Sequence, residues 1–157
     1  MWRGIVAFLF AAVFAAWGQK YDGPRPPKRD LPYLRHADNL VPTEAATAKE
    51  EKRKNDTLYI IDGASSPAKT PLASPILVVQ IDQLVPDRLQ LFKLDSKGGH
   101  REIVFPARKD STRPFRIEVT RLSSDNIYKI EVYDSLPTGE YSLSPEDSNQ
   151  AFCFQVY

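Results

Sequence analysis

Histidine, cysteine and clustered carboxylates are the side chains that move protons, attack carbonyls or hold metals, and this chain has few of them. Its two histidines are His36 and His100. Neither stands in an H-x-H or H-E-x-x-H pattern, so neither is expected to ligate a metal. His100 follows Gly98 and Gly99 and reads as a residue of a hairpin tip. Cys153 is the only cysteine. Two roles are open to it: a reactive or cross-linking thiol, or a buried and inert side chain. Glu146, Asp147 and Asn149 share the turn after Pro145 and offer oxygen ligands, a weak Ca²⁺ candidate. That ion takes roughly six to eight oxygens, so a plain turn between two strands is the competing reading. No G-x-S-x-G turn occurs, and Gly63-Ala64-Ser65-Ser66 reads as a flexible loop. No catalytic residue and no cofactor are expected from these patterns.

Binding chemistry is easier to find. Arg108, Lys109, Arg113 and Arg116 surround the loop Pro106–Pro114 and could meet an acidic polymer or partner. Equally, they could be solvated charges that keep a sheet edge from pairing with another chain. Tyr133 and Tyr157 fall off the parity of the other aromatics, which makes them candidates for stacking on a ligand. Over the whole chain, 21 Lys+Arg face 20 Asp+Glu. Such balance gives no global pull toward nucleic acid or an anionic membrane.

The first residues have the layout of a secretory signal: Arg3, an apolar run from Ile5 to Ala16, then Ala16 and Gly18 as the small residues before a cleavage point at Gln19. The run is shorter than the roughly 20 residues of a spanning helix. Residues 1–18 are therefore expected to be removed, leaving no stable membrane anchor and an extracytoplasmic protein, periplasmic or secreted.

Residues 19–55 read as a charged, extended arm. Pro24, Pro26, Pro27, Pro32 and Pro42 lie there, with nine Lys/Arg against six Asp/Glu over 20–54, while eleven face fourteen beyond. The opposite signs allow the arm to lie along the rest of the chain. Within it, residues 43–54 are expected to form a short helix: Thr43 as N-cap, Glu44 in the first turn, Lys52 to Lys54 at the end. It has no apolar stripe, so nothing in the core would hold it.

From Thr57 the hydrophobic period becomes two. Strands are expected at Thr57–Ile61, Ile76–Ile81, Arg88–Leu94, Arg101–Phe105, Phe115–Thr120, Tyr128–Val132, Gly139–Ser144 and Ala151–Tyr157. Lys97-Gly98-Gly99-His100 is a hairpin signal. Short strands at this spacing make residues 56–157 an all-β domain, an antiparallel sandwich of about seven or eight strands. An outer-membrane barrel is excluded by strand length and by Gln155, which breaks the terminal apolar series.

Leu136-Pro137-Thr138-Gly139-Glu140-Tyr141-Ser142-Leu143 resembles the tyrosine corner of immunoglobulin-like and fibronectin-like sandwiches. The resemblance implies that Tyr141 turns its hydroxyl back onto the preceding corner, with Leu136 and Leu143 packing beneath it and Phe152, Phe154 and Val156 of the last strand facing the core. It implies no activity. The stretches from His36-Ala37-Asp38-Asn39-Leu40 to Ala64-Ser65-Ser66-Pro67 are also faintly similar to uncharacterised exported bacterial proteins.

Together these features point to a non-enzymatic binding module of the bacterial envelope, its partner a protein or an envelope polymer. A structural subunit of a surface assembly and a small secreted hydrolase with a loop-built site are the alternatives.

Overall fold

A computed structural model of the protein describes residues 20–108 and 112–157. The expected leader over 1–18 and Lys109 lie outside the described residues. In chain order the strands are β1 (Tyr33–His36), β2 (Asn39–Pro42), β3 (Glu44–Thr47), β4 (Lys49–Arg53), β5 (Asp56–Asp62), β6 (Lys69–Thr70), β7 (Ile76–Gln80), β8 (Leu89–Lys97), β9 (His100–Phe105), β10 (Ile117–Arg121), β11 (Ile127–Val132), β12 (Gly139–Pro145) and β13 (Gln150–Val156). One 3₁₀ turn, Pro86–Arg88, precedes β8. The described chain is all-β.

Two antiparallel sheets form. The first has the order β10-β11-β7-β1-β2, and the second runs β3-β13-β12-β8-β9-β5-β4, with β6 added beside β13. The main core lies between them. Leu34, Leu77, Val79 and Ile130 of the first sheet meet Leu89, Leu91, Tyr141, Leu143, Phe152, Phe154 and Val156 of the second. These positions alternate along each strand because successive side chains leave opposite faces of a sheet. Tyr141 is fully buried, stacks on Phe154 with ring centroids 5.7 Å apart, and donates its hydroxyl to the Pro137 carbonyl at 2.6 Å. Leu136 closes the same corner, its N–H bonded to the Ala73 carbonyl. Lys97 and His100 pair across Gly98 and Gly99, both at positive φ, the geometry a two-residue hairpin loop of this hand requires.

The helix expected over 43–54 does not form; the segment is strand. β3 pairs with β13 from Cys153↔Glu44 to Gln150↔Thr47, and β4 pairs with β5 from Lys49↔Ile60 to Arg53↔Asp56. Thr43 does not cap anything: its hydroxyl donates to the Pro32 carbonyl at 2.7 Å. The physical reason is that local helix propensity here had no apolar stripe to back it, whereas β13 and β5 each offered an unpaired edge. Backbone pairing to those edges outweighs the modest intrinsic preference of Ala, Glu and Lys.

The rest of the arm is likewise built in. β1 pairs with β7, and β2 with β1. Asp30 donates its N–H to the Gln80 carbonyl at 2.8 Å, and its carboxylate accepts the N–H groups of Asp82, Gln83 and Leu84 at 2.8–3.1 Å. Burial disfavours the charge on Asp30, but the Asp82, Leu84 and Gln83 N–H groups outweigh it and hold its pKa below the ordinary 3.8. Arg25 reaches Asp125 at 2.8 Å, an exposed pair of arm cation and domain anion.

Candidate functional site

The second sheet does more than cover the first. Its two outermost strands, β3 and β4, are separated only by Ala48. They are one bent strand, and the sheet therefore curls until its ends meet. The Ala48 N–H donates to the Asn149 carbonyl at 2.7 Å and pins the bend to the turn before β13. Side chains on the face away from the main core consequently point into a second interior. Ala48, Ile61, Phe92, Leu94, Ile103, Ala151 and Cys153 form a separate buried cluster there, with Ala46, Tyr59 and Phe105 packed on it.

One end of this interior is sealed. The Arg101 side chain is completely buried. It donates to both oxygens of Glu44 at 2.7 and 3.0 Å and to the carbonyls of Gly63 and Asp62 at 2.9 and 2.8 Å. Glu140 stands 3.7 Å from the same guanidinium. A bidentate pair with extra carbonyl acceptors is the arrangement that lets a guanidinium leave water. Glu140 accepts the Ser66 N–H at 2.9 Å through one oxygen, while Oε1 has no partner. Burial pushes the Glu140 pKa above 4.5, against the lowering effects of Ser66 and Arg101.

The other end is open. A cavity of about 400 Å³ lies between the walls, lined below by Ile61, Phe92, Leu94, Ile103 and Ala151 and above by Glu50, Gln90, Ser144 and the turn 146–149. Phe105 meets Phe92 at 5.4 Å and Tyr59 at 5.7 Å, both edge to face at 85° and 83°. Glu50 stands directly across from Tyr59 in the β4–β5 register. Burial, then Glu50, then Asp147 push the Tyr59 phenol above its ordinary pKa of 10.0. An apolar pit with a few polar groups at the rim is the usual form of a small-molecule site.

Of the residues singled out from sequence, Glu146, Asp147 and Asn149 stand at the mouth of this cavity. Arg88 takes both carboxylates, Glu146 at 3.5 Å and Asp147 at 3.1 Å. Among the described residues no group of three His, Cys, Asp or Glu is placed to hold a metal. Arg108, Arg113 and Arg116 are exposed, away from the cavity lining. Arg116 lies over the Tyr133 ring at 5.0 Å, and the Tyr133 hydroxyl donates to Glu118 at 2.7 Å. Tyr157 is 63% exposed beside β6. His36 meets the Thr70 hydroxyl at 2.9 Å, and His100 meets Glu102 at 3.1 Å.

Cys153 points away from the main core, yet it is fully buried, because the curl gives that face an interior too. Burial pushes its thiol up to about 12, and Arg101 does not offset this. Such a thiol is unreactive at neutral pH. Sequence reasoning passed over Glu50, Tyr59, Gln90, Phe92, Phe105 and Ser144. The signal that finds them is parity: on these strands the positions alternating with the core face also carry aromatic or small residues.

No protein-family model, curated protein or solved structure matches this chain, so the site rests on its own geometry.

Proposed function

We propose that this chain is an exported, non-enzymatic binding module whose ligand site is the cup of the curled second sheet. The single observation that carries the reading is the aromatic-lined cavity of about 400 Å³, sealed by Arg101 at its base and open at the turn 146–149. Its size falls in the range of small-molecule sites. Export is supported by the leader pattern over 1–18. Kinship to immunoglobulin-like sandwiches is supported by the Tyr141 contact to Pro137, although curling of a sheet onto itself is no part of that architecture.

The test is titration with the neutral fluorophore N-phenyl-1-naphthylamine. Emission should rise and saturate on the native protein. Ser144→Trp, which fills the cup from its wall, should abolish the rise while leaving the unfolding transition cooperative. Absence of saturable binding to the native protein overturns the reading.

A second reading is docking of a macromolecule on the outer edge of the first sheet. The observation that favours it is Tyr133, 56% exposed and held under Arg116 beside edge strand β10. Tyr133→Ser would weaken capture of such a partner without touching fluorophore binding.

A further inference from the structure

The charge of the cup says what kind of molecule it selects. Resting on the reading of the cup as a binding site, we propose that its ligand is a small amphiphilic amine, an apolar body carrying a protonated ammonium head. The lining includes three carboxylates, Glu50, Glu146 and Asp147, and no Lys, Arg or His among the described residues. Arg88 stands outside the lining and is shared between Glu146 and Asp147. Lys52 stands across β4–β5 from the lining residue Thr57, and it and Arg88 against three carboxylates still leave a negative mouth. Arg101 is spent on Glu44 beneath the floor and is not presented to the cavity.

The walls suit the same head group. Phe105 stands perpendicular to both Tyr59 and Phe92, so ring faces of different orientation border one space. Ring faces attract cations, quaternary ammonium above all. Glu50 and Asp147 both act on the Tyr59 phenol, which places their fields at the ring that borders the mouth. Below it, Ile61, Leu94, Ile103 and Ala151 offer only apolar surface, which fits a hydrocarbon body. A phospholipid does not fit, since its phosphate would meet the same carboxylates. An amine whose head carries no acidic group meets no such repulsion.

Calorimetric titration with decylammonium, decanol and decyl sulfate, each below its micelle-forming concentration, tests this. At low salt the cation should bind about tenfold more tightly than the alcohol, and the sulfate most weakly. Added salt should shrink that preference, because the mouth is solvated. Glu50→Gln and Asp147→Asn should each lower the ratio of cation to alcohol affinity several-fold. Glu118→Gln, a carboxylate on β10 remote from the lining, should leave the ratio where it was. If alcohol and fluorophore bind but the cation shows no advantage, or the sulfate binds best, the charge inference is overturned and the cup survives. If the fluorophore does not bind, the cup reading itself falls.

Discussion

Arg101 shows how much one side chain can decide. Its guanidinium has no contact with water, and every acceptor around it is supplied by the chain. Arg101→Ala would leave Glu44 and Glu140 facing each other without a counter-charge. The expected cost is about 3–5 kcal/mol, read as a lower urea midpoint. Glu140 makes a second prediction. Its folded pKa lies above the ordinary 4.5, so the folded state holds the proton more tightly than the unfolded chain does. Stability is then lost as pH rises from about 4.5 through the folded pKa. Glu140→Gln removes that titration. Its stability relative to the native protein should increase with pH across this window, and pH-dependent urea unfolding of the two proteins checks it. Asp30 has the opposite sign. Its folded pKa is depressed, so its contribution is present above the ordinary 3.8 and is lost as pH falls through the folded value. Asp30→Ala should cost about 1 kcal/mol at neutral pH, the size of a lost capping carboxylate in a solvated turn, and nothing below the folded pKa.

Among the elements, the bent strand β3–β4 carries the consequences. It joins β13 to β5 and thereby turns a sheet into a cup. Ala48→Pro would delete the hydrogen bond to the Asn149 carbonyl and fix a backbone angle at the bend, at a cost of about 2 kcal/mol. The loss should be local. Hydrogen exchange is expected to accelerate in 49–53 and 56–62 while the amides of β7 and β11 stay protected. Uniform acceleration across both sheets would show that the curl is inseparable from the main core. This strand is also where sequence reasoning failed. Glu44 to Lys54 is rich in good helix formers, and a helix was the expected state. The signal against it lay in the parity of Glu44, Ala46 and Ala48, which are wholly or partly buried between exposed Ala45, Thr47 and Lys49, with Glu50 next in the series at the exposed rim of the cavity. That pattern is faint because the inward residues are small or charged rather than aliphatic.

At the scale of the molecule, the segment 20–54 is part of both sheets. Deleting it would bare the edge of β13, the edge of β5 and one side of β7. Exposed edges of this kind pair with other chains. The shortened protein, residues 55–157, should therefore aggregate where the chain from Lys20 stays monodisperse, and light scattering of the two distinguishes the outcomes. The opposite charges of arm and remainder meet in Arg25–Asp125 and in the wider-spaced Arg29–Asp82. Both pairs are exposed and contribute little; the backbone pairing of β1 to β7 and of β3 to β13 is what holds the segment.

What the sequence determined by itself was the periodicity: from Thr57 on, alternating apolar positions specify strands, the main core and the buried places of Leu136, Tyr141, Phe152 and Phe154. That much is local, because a residue's face on a strand follows from its parity alone. Whether the opposite face looks into water or into a second interior is not local. It depends on β4 finding β5 and β3 finding β13, pairings that join residues 44–53 to partners about a hundred positions away at one end and beside them at the other. Backbone hydrogen bonds make those pairings, and every residue type carries the same backbone groups. For that reason the cup, the fate of Cys153 and the grouping of Glu50, Tyr59, Phe92 and Phe105 were decided only by the tertiary structure.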